Sequence, residues 1–314
     1  MNPLVFAAIT TVASFVVAMV LYPVLIRLLR RWGVGQVIQP ELSAEHQRKA
    51  GTPTGGGILF VLLGLAGGLL SLVMHRGAVP AIVALFLFGL IGLADDLAKL
   101  RFGQSGMRAR YKFPLQVLFA IPVAYLAHTQ QHFLPQSTEW AWVYWPLAVV
   151  VIAGAANGVN LNDGIDGLAG STSVVVLLGV GLLLPGEPAG ALAVAFTLLG
   201  ALLAFVWYNR HPARIFMGDA GALGLGAALA ALCLQAGWGI LLILLGIVYV
   251  VEVLSVIIQV SYFKATGGRR VFKMTPLHLT FQLEGWSENR IALTSTGVAI
   301  AAALLSGWIA HQLT

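Results

Sequence analysis

The chain has five aspartates, Asp95, Asp96, Asp163, Asp166 and Asp219, and each lies where an apolar run gives way to a polar segment. A carboxylate at a membrane edge is costly without a partner, so five converging on one side point to a single polar site. Asp95 and Asp96 open the segment Asp95-Asp96-Leu97-Ala98-Lys99. Neighbouring carboxylates on a helix diverge by about 100°. One could bind a metal while the other orients a reactant or pairs with Lys99 at i,i+3, but such a segment taken by itself favours the plainer reading. The plainer alternative is a charged helix end in water. Lys99 occupies the last position of what would be an Asp-Asp-x-x-Asp prenyl-diphosphate motif and excludes it.

Asn157 to Leu168 packs three amides (Asn157, Asn160, Asn162), two acids (Asp163, Asp166) and three glycines into one short stretch. That set suits a hard cation, sugar hydroxyls or a nucleobase, and it exceeds what a capped turn requires. In Trp207 to Gly221, Asp219 reads as a helix cap or as a magnesium ligand, since Mg2+ prefers hard oxygen donors. Phe216 stacks on a base or anchors its loop at the interface. Glu45 to Gly57 carries Lys49, Thr52, Thr54 and a glycine triplet, all phosphate donors by type. A flexible loop with close-packing glycines reads equally well, and P-loop spacing is absent. The basic stretch 264–290 holds Lys264, Arg269, Arg270, Lys273 and His278. Glu252 and Gln259 share one face of the preceding span.

These residues need a scaffold, and composition says which. Of 314 residues, 59% are hydrophobic and 10% charged. A soluble domain is nearer a quarter charged, so soluble, disordered and coiled-coil classes are excluded. One cysteine, Cys233, excludes a disulfide framework and a thiolate cluster. A spanning helix needs about 20 apolar residues. Ten candidates follow: 4–26, 55–74, 78–94, 113–127, 141–156, 168–185, 190–208, 220–237, 239–263 and 291–311. The first is read as a retained helix, not a signal peptide. No strand-period alternation supports a β-barrel. The predicted architecture is an all-α polytopic membrane protein, one integral membrane domain over 1–314.

Alternating the loops puts 17 of the 18 Lys and Arg residues on one side, with only Arg76 on the other. The positive-inside rule makes that side cytoplasmic and both termini extracytoplasmic. All five aspartates then face the cytoplasm. The net charge of +6 is a topology signal with attraction for anionic lipid or phosphate; without a basic extramembrane domain, no nucleic-acid partner is expected. Carboxylates suited to Mg2+, cations suited to phosphoryl oxygens and a bilayer edge together describe phosphoryl transfer between a soluble nucleotide and a lipid phosphate. An ion-coupled transporter is the alternative of another class, but its acids belong at the midplane.

Taken in order, Glu45 to Gly57, Asp95-Asp96 with Lys99, Asn157 to Ala169, Trp207 to Gly221 and Glu252 to Arg290 resemble the polyprenyl-phosphate N-acetylhexosamine-1-phosphate transferase superfamily. Phe272-Lys273-Met274-Thr275-Pro276-Leu277-His278, then Gly285-Trp286 and Glu288, resembles its MraY family, the phospho-N-acetylmuramoyl-pentapeptide transferases. The resemblance implies ten helices and transfer of phospho-N-acetylmuramoyl-pentapeptide from UDP-N-acetylmuramoyl-pentapeptide to undecaprenyl phosphate, giving lipid I and UMP. It implies a Mg2+ cofactor held by Asp219, with Asp95, Asp96 and Lys99 as catalytic residues. Lys49, Thr54, Asn160, Asp163, Asp166, Asn209, Phe216, Gln259 and His278 match its substrate and nucleotide pocket. A homodimer in the cytoplasmic (inner) membrane is implied as well. Three departures stand out: His278-Leu279-Thr280 replaces a triple histidine, Ala220 and Ala222 replace hydroxyl residues beside Asp219, and Gly55 follows Thr54 where methionine is common. They keep open a second donor class, UDP-N-acetylglucosamine or another UDP-hexosamine.

Overall fold

The computed structural model describes residues 3–35, 49, 51–73, 76–102, 106–129, 141–183 and 189–313. Glu45, His46, Gln47, Arg48 and Ala50 of the first motif lie outside the described residues. In chain order the elements are α1 (Pro3–Arg31), α2 (Gly57–Ser71), a single 3-10 turn (Arg76–Ala78), α3 (Val79–Phe102), α4 (Ala109–Thr129), α5 (Ala141–Asn162), α6 (Leu168–Leu182), α7 (Ala189–Asn209), α8 (Asp219–Gln235), α9 (Leu241–Leu245), α10 (Ile247–Ala265), α11 (Leu277–Leu283) and α12 (Glu288–Leu313). Among the described residues the only extended pairing is an isolated bridge between Gly35 and Pro53.

Six helices are long and apolar enough to cross a membrane: Val5–Arg31, Val79–Phe102, Trp142–Asn162, Gly190–Asn209, Ile247–Ala265 and Glu288–Leu313. Gly57–Ser71, Leu168–Gly181 and Asp219–Gln235 are apolar but shorter. Each of the ten expected segments falls on helix, with corrected edges. The segment expected at 239–263 is two helices, interrupted at Gly246, whose backbone (φ −92°, ψ 25°) leaves the helical region. The segment expected to stop at 94 runs on to Phe102, so Asp95, Asp96 and Lys99 are helical and not at a loop edge. Likewise α5 runs on to Asn162 and takes Asn157 and Asn160 with it.

The centre of the bundle is α8. Its sequence after Asp219 is Ala, Gly, Leu, Cys and Gln, and every residue from Asp219 to Gln235 is buried. A helix apolar all round belongs inside, and α2, α3, α4 and α5 pack directly against it. In lipid there is little hydrophobic drive between helices, so close approach of small residues carries the packing. A Cβ on Gly57 would lie 2.3 Å from Gly221 Cα, and one on Gly226 would lie 2.4 Å from Ala155 O. Outward faces stay apolar: Val12 and Val20 on α1 and Leu293 and Leu304 on α12 are exposed, as lipid contact requires.

Candidate active site

Three helices deliver the first cluster. Asp95, Asp96 and Lys99 come from α3, Lys112 from the first turn of α4, and Asn160 from the last turns of α5. All meet at Asp219, the first residue of α8. Asp219 Oδ1 accepts from Lys99 Nζ at 2.8 Å and from Asn160 Nδ2 at 3.0 Å. Its Oδ2 accepts from Lys112 Nζ at 2.5 Å. Lys112 also reaches Asp95 Oδ2 at 3.0 Å, and Lys99 reaches the same oxygen at 3.3 Å. The backbone N–H of Met107 donates to Asp95 Oδ1. Lys99 therefore pairs with Asp95 at i,i+4 and with Asp219, and not with Asp96 at i,i+3.

Asp96 has a different task. Its Oδ1 accepts from the backbone N–H of Asp219 and its Oδ2 from that of Ala220, both at 3.0 Å. Helix N-termini leave N–H groups without intrahelical partners and favour negative charge. A carboxylate from α3 thus caps α8 from outside. Asp219 does not act as the cap, one of its two readings from sequence; the N-cap is Gly218, at φ 78°, a conformation that favours glycine, and no side chain of its own segment caps the helix. The two helices also touch at Gly92, where a Cβ would fall 2.2 Å from Asp219 O. Two contacts therefore fix where the Asp219 backbone sits.

Asp163 lies in the turn after α5. Burial and the nearby Asp219 carboxylate push its carboxyl well above the ordinary carboxylate range, although the Gly218 N–H opposes the shift. Both effects disfavour its charged form.

A second cluster joins four separate segments. Lys49 Nζ lies 2.7 Å from Asp166 Oδ1 and 2.5 Å from Glu288 Oε1. The Asp166 backbone N–H donates to Glu288 Oε2 at 3.0 Å. His211 Nδ1 and the Ala213 N–H both approach Asp166 Oδ2 at 2.9 Å. Asp166, His211 and Glu288 place ligand atoms within 4.8 Å of one another and could hold a metal ion. The Lys49 ammonium already bridges the two carboxylates of that group. Lys49 Nζ is also 5.9 Å from the centroid of the Phe216 ring, within cation–π range. Asn209 holds this corner together: its Oδ1 accepts from Gly167 N at 3.0 Å and its Nδ2 donates to Ile215 O at 2.9 Å. Thr54 stands on the neighbouring loop, its N–H bonded to Val34 O at 3.3 Å.

The third group lies where α10 meets α11. Glu252 accepts from the backbone N–H of His278 at 3.2 and 3.4 Å, and its Oε1 is 3.3 Å from His278 Nδ1. The imidazole is buried against Gly164, where a Cβ would sit 2.3 Å from Nε2. His278 thus adjoins the Asp163 turn. Gln259 is spent on backbone: Oε1 accepts from Val271 N at 2.9 Å and Phe272 N at 3.0 Å, and Nε2 donates to Phe272 O at 3.0 Å. It folds the basic loop and has little left for a substrate. Thr280, one of the departures from the triple histidine, donates through Oγ1 to Met274 O at 2.5 Å and accepts from Met274 N at 3.1 Å. The hydroxyl closes the Met274–Thr280 loop.

The structure thus gathers Asp95, Asp96, Lys99, Asn160 and Asp219 at one point and Lys49, Asp166, Asn209 and Phe216 at another, with Asp163 and His278 at the intervening turn. The amino-acid sequence assigns no site role to Lys112, Glu288 or His211. Lys112 follows Arg108 and Arg110 and reads as one more positive-inside charge. Glu288 opens a long apolar helix and reads as its N-terminal acid. Only the fold shows that each meets a buried partner.

The sequence profile of glycosyl transferase family 4 matches residues 78–237. The phospho-N-acetylmuramoyl-pentapeptide-transferase of Symbiobacterium thermophilum is 42% identical, over 96% of this chain and 94% of its own. That of Halalkalibacterium halodurans is 37% identical over 98% of both chains, and that of Desulforamulus reducens 41% over 88% of both.

Proposed function

The chain belongs to glycosyl transferase family 4 and, within it, to the phospho-N-acetylmuramoyl-pentapeptide-transferases, and from that premise we propose how its residues act. It is a multi-pass membrane transferase. Its reaction moves phospho-N-acetylmuramoyl-pentapeptide from UDP to undecaprenyl phosphate, giving lipid I and UMP, the first membrane step of peptidoglycan synthesis. The observation that carries the assignment of the site is the meeting of three helices on Asp219.

The acceptor phosphate, a monoester with a second pKa near 6, is largely ionised at neutral pH and needs little from a general base. The requirement is to hold two phosphoryl groups together and neutralise their charge. Lys99 and Lys112 sit between Asp95 and Asp219 and are the donors placed for phosphoryl oxygens. Asp95 orients both ammonium groups. Asp96 positions Asp219 by capping α8. Three carboxylates against two ammonium groups leave this cluster with one net negative charge, and its donors are hard oxygens. That set fits Mg2+, which Asp219, with Asp95 beside it, would hold once the Lys99 and Lys112 ammonium groups turn from its oxygens to phosphoryl oxygens. When bound, the ion supplies charge neutralisation to the pyrophosphate. Lys49, Phe216, Asp166 and Asn209 form the donor's nucleotide corner, with Phe216 as the stacking ring and Thr54, Gln259 and His278 at its margins. An apolar groove lined by Leu147, Val150, Leu242, Val250 and Val253 runs between α5, α9 and α10 and suits a prenyl chain.

Ten spans, extracytoplasmic termini, an active site facing the cytoplasm, one domain over 1–314, placement in the inner membrane and a homodimer belong to the same proposal. Support comes from the charge asymmetry and from the ten expected segments each falling on helix. The test is a donor competition. Purified protein in detergent receives undecaprenyl phosphate, Mg2+ and equimolar UDP-N-acetylmuramoyl-pentapeptide and UDP-N-acetylglucosamine. Mass spectrometry of the lipid fraction should find the muramoyl-pentapeptide product. An N-acetylglucosamine lipid alone would move the enzyme to another glycan.

A further inference from the structure

Beneath the first cluster, α4 and α5 are joined by a pair of amides. Asn157 Nδ2 donates to Gln116 Oε1 at 2.6 Å, and Gln116 Nε2 donates to Asn157 Oδ1 at 3.3 Å. Asn157 Nδ2 also donates to Ala153 O at 2.8 Å, on its own helix. Gln116 is 1% exposed. The rest of this face of α4 is apolar, with Ala120, Val123, Ala124 and Ala127 buried below.

The register of the pair is informative. Gln116 lies four residues after Lys112, and Asn157 lies three residues before Asn160. Residues at these spacings share a helix face. Lys112 and Asn160 both donate to Asp219, at Oδ2 and Oδ1, with Lys99 a third donor at Oδ1. The amide pair therefore sits one turn below both donors and ties their helices together. Apolar packing between smooth helices allows sliding and rotation, whereas a reciprocal amide pair has one register. Hydrogen bonds between helices in lipid add little net stability, so stability alone does not account for a buried glutamine paired with a half-buried asparagine here.

We propose that Gln116 and Asn157 form a positioning clasp for the transfer reaction, setting the height at which Lys112 and Asn160 meet Asp219. The clasp touches no substrate and acts through Lys112 and Asn160. The inference rests on the transferase reading for its effect on catalysis. Its effect on the geometry of Lys112 can be read without any substrate.

The experiment uses the full chain in detergent with three variants: Gln116→Leu, Asn157→Leu and the exchange Gln116→Asn with Asn157→Gln. The exchange moves one methylene from one helix to the other and keeps the total reach. Amine labelling of Lys112, followed by peptide mass spectrometry, is normalised to Lys273, whose side chain is 61% exposed. Each leucine variant should raise Lys112 labelling by about threefold or more, because its ammonium is no longer held between two carboxylates. Each should lower kcat for UMP release by about tenfold with donor KM within about twofold, as expected for misplaced groups. Thermal stability should change little, and the exchange should restore both labelling and kcat. Should a leucine variant not fold, Gln116→Asn alone, one methylene too short, takes its place. Unchanged Lys112 labelling, or a kcat loss that tracks a loss of thermal stability and is not restored by the exchange, would overturn the clasp. Absence of UMP from the wild type, with labelling that still responds, would count against the transferase reading and leave the clasp standing.

Discussion

Gly92→Ala is the sharpest structural test of how Asp219 is placed. The added Cβ would lie 2.2 Å from Asp219 O, 2.3 Å from its carbonyl carbon and 2.4 Å from Ala220 N. Real Cβ atoms essentially never approach closer than 3.0 Å, so α3 and the first turn of α8 must separate by about 0.8 Å or more, against an obstacle that is backbone and cannot rotate away. Overpacking of this kind costs about 1–3 kcal/mol. The movement also lengthens the bonds from Asp96 to Asp219 N and Ala220 N, now 3.0 Å each. A misplacement near 1 Å at reacting groups costs roughly 100-fold in rate. UMP release should therefore show kcat down by about two orders of magnitude, with donor KM nearly unchanged because the Lys49 corner lies on other segments. Thermal unfolding in detergent should fall by several degrees. A Gly92→Ala enzyme that keeps a third or more of wild-type kcat would refute the claim that this contact sets the Asp219 position.

Three further outcomes follow from the same geometry. Lys112→Met removes the charge-assisted bond that the ammonium would make to a phosphoryl oxygen in the transition state, worth about 1.5–3 kcal/mol, so kcat/KM should fall by roughly 10- to 150-fold; a change under threefold would exclude Lys112 from the reaction. Asp96→Ala should lower both the melting temperature and kcat, because it leaves two helix N-terminal N–H groups buried without acceptors, whereas Asp219→Asn should abolish turnover. A melting temperature of Asp96→Ala equal to that of the wild type would contradict the capping role. Asp163 has its carboxyl raised in the folded state, so the folded protein binds that proton more tightly than the unfolded chain. The stability it contributes is complete below the ordinary carboxylate range and is lost as pH rises through the raised folded value. Asp163→Asn, a mimic of the neutral acid, should flatten that part of the stability–pH curve and cost less than about tenfold in kcat; an unchanged curve would count against it.

The apolar runs of the amino-acid sequence locate the helices, because backbone groups in lipid must be satisfied within the segment. The one-sided distribution of Lys and Arg points to one charged face. The aspartates are legible as a group because carboxylates are rare in a chain of this composition. Edges are less legible: Asp95 and Asp96 sit inside α3 because the helix continues through Lys99 and Arg101 to Phe102, past the apolar stretch that defines the span. Roles are least legible. Nothing at Asp96 distinguishes a cap of α8 from a metal ligand until α8 is packed beside it. Lys112, Glu288 and the Gln116–Asn157 pair depend on partners 107, 239 and 41 residues away in the chain, and no local pattern announces such contacts. Gln259 matches a pocket position by resemblance, yet its amide is committed to Val271 and Phe272.

The most direct measurement is UMP release by the purified protein with undecaprenyl phosphate and UDP-N-acetylmuramoyl-pentapeptide across a Mg2+ titration, run beside Asp219→Asn. Turnover that depends on both substrates and on Mg2+ and vanishes in Asp219→Asn, with the variant still folded, is the predicted result. Turnover that persists in folded Asp219→Asn, or a wild type that releases no UMP from the muramoyl donor, would contradict the assignment of this site.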